Sequence, residues 1–122
     1  MKIPDQRFPK RERLASRSDF VRLYGKGRKI HSACFVLYAA PNQLGHHRLG
    51  LTVSQKVGNA AVRNLVKRRL REVYRLDREQ IPCSCLDLVV SAKRAIAQAD
   101  LKRLRAEFVA AVARIPVEGP GS

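Results

Sequence analysis

The chain has 122 residues, with no tryptophan, one methionine and three cysteines. No apolar run approaches the roughly 20 residues that cross a bilayer, so a membrane partner is not expected. The amino terminus, Met1 to Arg11, is basic with no apolar stretch behind it; it does not read as a signal peptide, and a cytoplasmic protein is expected. Cys34 stands alone and Cys83 and Cys85 are separated by one residue. A zinc hairpin needs at least two intervening residues and a second pair, so reduced structural thiols are expected and no metal site is assigned to the protein.

Acidic residues are also scarce. Ten Asp and Glu stand against 25 Lys and Arg, for a net charge of +15. Such a field favours a polyanion and speeds encounter with one. There is no paired carboxylate set, no Ser-His-Asp pattern, no phosphate-binding glycine loop and no dinucleotide motif, so no catalytic residue is assigned. A metal-free nuclease would need His31 with His46 or His47 and a lysine, but these histidines lie in polar, turn-like sequence and read as surface groups. At this length the chain is one domain.

What is present is organised around Lys56 to Arg75. Asn59 is a candidate cap for a helix of about four turns. At about 100° per residue Val62, Val66, Leu70, Val73 and Tyr74 share one face, with Leu65 at its edge. Asn64, Lys67, Arg68, Arg71 and Arg75 collect opposite, between about 140° and 240° from Val62. Six Lys or Arg lie between Arg63 and Arg75 with a single acid, Glu72, so this ridge lacks acidic partners and calls for an external anion. Arginine forks suit phosphate oxygens, and the Asn amide suits a phosphate, a hydroxyl or a base edge.

Around that helix, residues 1–13 read as a basic arm, 14–115 as one α+β domain that binds a polyanion such as nucleic acid, and 116–122 as a flexible tail. Ser18 or Asp19 is expected to cap a short helix through Phe20, Val21, Leu23 and Tyr24, stopped by Gly25 and Gly27. Lys26, Arg28 and Lys29 form a second basic patch beside Phe20 and Tyr24. Cations next to aromatics suit single-stranded nucleic acid, although core packing explains the same aromatics equally well. His31–Ala40 reads as a strand with Cys34, Val36 and Tyr38 on one face and Ala33, Phe35 and Leu37 on the other. Arg48–Ser54 alternates as its antiparallel partner. Arg75–Cys85 is a charged, Pro-broken connection, Leu86–Ala92 a further strand, and Asp100 the cap of a last helix with Leu101, Leu104, Phe108, Val109, Val112 and Ile115 at helical spacing. The order α-β-β-(β)-α-β-α is an α+β fold, a small sheet with packed helices.

Several stretches resemble one known family: Arg48-Leu-Gly-Leu-Thr-Val-Ser54, Lys56-Val-Gly-Asn-Ala-Ala-Val-Arg-Asn64, Lys67-Arg68, Leu70-Arg71-Glu72 and Asp87-Leu-Val-Val-Ser-Ala-Lys93. With Leu14, Phe20, Tyr24 and Gly27 upstream, the pattern is similar to the bacterial ribonuclease P protein component over about residues 11 to 113. The resemblance implies a ribosomal-protein-S5-domain-2-like fold with a left-handed β-α-β crossover, against the usual right-handed rule. It implies a cofactor for a catalytic RNA that removes the 5′ leader of precursor tRNA, with Mg²⁺ held mainly by the RNA, no organic cofactor and no obligate protein partner. Carried over residue by residue, Lys56, Arg63, Asn64, Lys67, Arg68 and Arg71 would meet the catalytic RNA. Arg13, Phe20, Tyr24 and Tyr38 would line a cleft for the leader. Leu65 and Gln55 depart from the pattern, which usually has basic residues there, and Arg69 is a candidate to replace the contact missing at Leu65. The residues alone also admit a ribosomal or other structural RNA-binding protein, or a DNA-binding regulator.

Overall fold

The structure, a computed structural model, describes residues 10–42, 44–82 and 85–116. Three helices and four strands follow in the order α1 (Arg17–Lys26), β1 (Arg28–His31), β2 (Phe35–Pro41), β3 (Arg48–Thr52), α2 (Ala60–Asp77), β4 (Leu86–Ala92) and α3 (Leu101–Val112). The single sheet has the strand order β1-β2-β4-β3. One face carries α2 and α3, whose Val66, Leu70, Val73, Tyr74, Leu104 and Phe108 close the main core over Phe35, Leu37, Leu88 and Val90. On the other face Leu23 of α1 and Leu14 meet Ala40 and Val89, with Phe20 and Tyr38 packed against them.

The helix ends are locally encoded. The Asn59 side chain accepts from the Val62 amide at 3.0 Å, and Asp100 accepts from the Arg103 amide at 2.9 Å. α2 runs beyond Arg75, where a connection was expected, because Tyr74 and Asp77 are buried; Arg105 of α3 holds the Asp77 carboxylate with two hydrogen bonds of 3.0 and 2.9 Å. α1 starts at Arg17, before the expected caps, with Ser16 in the cap position. Gly25 lies inside that helix and only Gly27 ends it, its amide bonded to the Leu23 carbonyl at 2.9 Å.

Two strand expectations are corrected. His31–Ala40 is not one strand, because a turn at residues 32–34 separates β1 from β2, which pair as a hairpin with Lys29 opposite Tyr38. The turn breaks the alternation. Cys34 therefore does not share the Tyr38 face but is buried, its amide and thiol donating to Glu107 of α3 at 2.9 and 3.3 Å. Arg48–Thr52 does not pair with β2 either; it lies parallel to β4, which stands between them. The reason is burial. Five consecutive residues of β4, Leu86 to Val90, are covered on both faces, as only a central strand allows. β3, α2 and β4 thus form the parallel crossover unit.

Residues 10–13, expected within the arm, form a short 3₁₀ turn and a bridge from Arg13 to Leu49; the rest of that arm lies outside the described residues, as do 117–122 of the expected tail and Cys83 and Ser84 of the Cys-Ser-Cys stretch.

Glu107 ties α3 to the β1–β2 turn. Burial alone would raise its carboxyl, but hydrogen bonds from Ser32, Cys34 and Arg103 outweigh this and hold it at about 2. A folded-state value below the unfolded one stabilises the fold at pH above about 4.5, and this contribution disappears as pH falls from about 4.5 to 2. Urea melts across that window are expected to show a shallower acid loss in Glu107→Gln than in the parent chain. An unchanged slope would show that the carboxylate is not held in this way.

Candidate nucleic-acid interface

The polar face of α2 emerges as the sequence places it. Asn64, Lys67, Arg68, Arg71, Glu72 and Arg75 line an open groove of about 500 Å³. Glu72 pairs with Arg75, whereas Lys67, Arg68 and Arg71 make no ion pair among the described residues. Three uncompensated cations over about 7 Å of helix repel one another in the free protein, and an anion in the groove relieves that repulsion.

Not every assigned position shares the groove. Arg63 turns back to the Gly58 carbonyl at 3.2 Å, and Lys56 is exposed on the turn before α2. Arg69 cannot stand in for the contact missing at Leu65, because its guanidinium donates to the Ala99 carbonyl at 2.8 Å. Leu65 itself is 39% exposed and does not join the core face.

A second cleft of about 270 Å³ runs beside the β3 edge. Arg13 and Phe20 line it together with Gly50, and so do Lys67 and Arg71 of the ridge. The two concavities therefore form one continuous cationic surface. From Phe20 the aromatics continue as a row, with ring centroids 6.3 Å apart for Phe20 and Tyr24 and 4.8 Å, edge-on, for Tyr24 and Tyr38. Lys29 caps the row, its amine 5.9 Å from the Tyr38 ring centre. Tyr24 and Tyr38 lie beyond the lining of the cleft itself but extend its aromatic side. The Tyr24 hydroxyl shares a 2.5 Å hydrogen bond with the Thr52 hydroxyl.

Gly50 and Thr52 were not singled out as site residues by sequence reasoning. The only signal was a glycine in mid-strand, which marks close approach. A Cβ at Gly50 would stand 2.6 Å from the Phe20 ring, so the bare backbone lets that ring lie against the sheet.

α1 carries Phe20 and Tyr24, and an ion network fixes it. The fully buried Asp87 of β4 accepts from Arg48 at 2.9 and 2.7 Å, from Arg22 of α1 at 2.5 Å and from Asn42 at 2.7 Å. Burial would raise this carboxyl, but the hydrogen bonds from Arg48, Asn42 and Arg22 prevail and hold it below the usual carboxylate range.

The histidines do not assemble a hydrolytic centre. His47 accepts the Leu86 amide through Nδ1 at 3.4 Å and burial lowers its pKa, His46 bonds the neighbouring His47 carbonyl, and His31 is exposed on β1. Among the described residues no helix is long and apolar enough to cross a membrane, and no three of His, Cys, Asp and Glu cluster as metal ligands.

Comparison with known proteins gives a consistent result. Residues 8–116 match the family model described as Ribonuclease P. The chain is 41% identical over 104 residues to the ribonuclease P protein component of Desulfosudis oleivorans, covering 83% of this chain and 85% of the relative. It is 38% identical to that of Geotalea uraniireducens, over 88% of this chain and 94% of the relative. Among solved structures, the RNase P protein from Thermotoga maritima superposes with a TM-score of 0.78 at 30% identity, covering 87% of this chain and 99% of that one. The Staphylococcus aureus RNase P protein gives 0.75 at 30% identity, over 84% and 93%.

Proposed function

Since the chain belongs to the ribonuclease P protein family, we propose that its two concavities divide the work of that ribonucleoprotein, the α2 ridge meeting the catalytic RNA and the aromatic cleft meeting the 5′ leader of precursor tRNA. The chain is a protein cofactor in tRNA 5′-end processing, working with ribonuclease P RNA, in which the catalysis of the endonuclease resides.

The observation that carries the division is that Lys67 and Arg71 line both the ridge groove and the cleft. A strand leaving a docked RNA helix could pass from one to the other without leaving positive potential. Along the cleft, phosphates meet Arg13, Lys67 and Arg71 while bases stack on Phe20, Tyr24 and Tyr38, at about 1–3 kcal/mol for each stacked base. Stacking is indifferent to base identity, so leaders of unrelated sequence are accepted. In this reading the Mg²⁺ ions that serve hydrolysis are held by RNA phosphates. The chain's own side chains offset phosphate repulsion and hold the leader in line with the scissile bond.

Phe20→Ala is expected to weaken binding of leader-bearing precursor roughly 5- to 150-fold, the equivalent of one lost stack, and to leave mature tRNA unchanged. Equal weakening of both would remove Phe20 from the leader path. The function itself is tested by cleavage of a precursor tRNA at physiological Mg²⁺ with catalytic RNA alone, protein alone and both. Cleavage at the mature 5′ end that is strongly enhanced by the combination supports the cofactor role. No gain over RNA alone would return the chain to general RNA binding, and cutting by protein alone would place the chemistry in its side chains.

A further inference from the structure

The segment Lys10-Arg11-Glu12-Arg13 carries three cations and one acid, and the acid is the one that is buried, at 7% exposure. Its Oε1 accepts the Tyr74 hydroxyl at 2.8 Å and the Arg78 guanidinium at 2.6 Å. Both donors stand at the C-terminal end of α2, the helix that presents Arg71 and Lys67 about one and two turns before Tyr74. The next residue, Arg13, bridges β3 at Leu49 and lines the cleft beside those two cations, and Leu14 follows with its amide on the Leu49 carbonyl at 2.9 Å. Three like charges share one cleft. Coulomb repulsion opposes that arrangement, so a strongly basic segment does not settle against a cationic helix through its own charges. A buried carboxylate gripped by two donors at the end of that helix, Tyr74 in its last turn and Arg78 at its cap, supplies the opposing attraction, at the position directly before the cation that the cleft uses.

We infer that Glu12 is a positioning residue: by anchoring to Tyr74 and Arg78 it holds Arg13 in the cleft beside Lys67 and Arg71, so that the phosphate-binding site for the leader is assembled before RNA arrives. This rests on the leader reading of the cleft. Glu12 touches no substrate; it acts through Arg13. Pre-assembly matters because ordering a basic segment at the moment of binding would consume part of the gain from the contact.

The test is a double-mutant cycle on the ribonucleoprotein reconstituted with catalytic RNA, comparing precursor tRNA with mature tRNA across a salt series. Arg13→Ala is expected to weaken precursor binding about 3- to 5-fold near 0.15 M salt and to shallow its salt dependence by about 0.7 log unit per log salt, as for one contact to a single strand. Glu12→Ala should do the same, and the double variant should be no worse than either single one. Glu12→Gln, which keeps the shape of the side chain and an acceptor for Tyr74, should shift precursor binding in the same direction with thermal stability checked in parallel. Affinity for the catalytic RNA should stay unchanged throughout. If Arg13→Ala weakens precursor but the Glu12 effect adds to it, or falls equally on mature tRNA, the positioning role is overturned while the cleft reading stands. If Arg13→Ala itself leaves precursor binding unchanged, the cleft reading fails and the inference with it.

Discussion

Asp87→Ala is expected to lower the free energy of unfolding by about 3–5 kcal/mol, which for a domain of this size corresponds to a fall in melting temperature of about 10–20 °C. The carboxylate is fully buried and takes four hydrogen bonds from three side chains. Removing it leaves the Arg48 and Arg22 guanidiniums facing each other with Asp19 as their one remaining acidic partner among the described residues, at 3.5 and 3.6 Å. Taking the shared, fully buried acceptor from two guanidiniums, one of them largely shielded from water, is among the few single changes that reach this size. The partners are not equal. Arg22 is 37% exposed and can turn to water, so Arg22→Ala should cost less than Arg48→Ala, whose side chain is 22% exposed. Urea titrations of the three variants would show the ordering, and an Asp87→Ala midpoint equal to that of the parent would mean that packing alone holds α1. Because α1 carries Phe20 and Tyr24, leader discrimination should weaken in Asp87→Ala even at temperatures where the chain remains folded.

The second large effect concerns binding rather than stability. Changing Lys67, Arg68 and Arg71 together to Ala should shallow the salt dependence of catalytic-RNA binding by about 2–2.7 log units per log salt, since each released contact carries about 0.7–0.9. Extrapolated from 1 M, where counterion release no longer favours binding, that is roughly a hundredfold loss at 0.15 M. Stability should stay nearly unchanged or rise slightly, because these side chains make no ion pairs among the described residues and repel one another. Arg68→Ala alone should account for about a third of the slope. Arg69→Ala is the control: its guanidinium is engaged with the Ala99 carbonyl, so the slope should not move. If the triple variant kept the parent's salt slope, the ridge would not be the RNA contact.

Short-range order along the chain was sufficient for much of this. The Asn59 and Asp100 caps, the apolar face of α2 and the cationic face opposite it follow from a helical period of 3.6 residues, which needs no knowledge of the rest of the fold. The resemblance was likewise carried by contiguous residues around Arg63, Asn64, Lys67 and Arg68. These signals determined the kind of protein and the placement of its ridge.

What lay beyond them depends on contacts between residues far apart in sequence. β4 displaces β2 as the neighbour of β3 because its apolar run can be covered on both faces only at the centre of the sheet, a competition among strands that alternation within one strand cannot register. Glu12 looks like one acid in a basic arm until Tyr74 and Arg78, more than 60 positions away, enclose it. Arg69 does not replace the contact missing at Leu65 because the Ala99 carbonyl lies within its reach, and Gly50 becomes part of the cleft because the Phe20 ring crosses it. Local periodicity settles which faces are charged and which are apolar; the assembled fold settles which of them meet, because burial and long-range hydrogen bonding are satisfied by the whole chain at once rather than by any one segment.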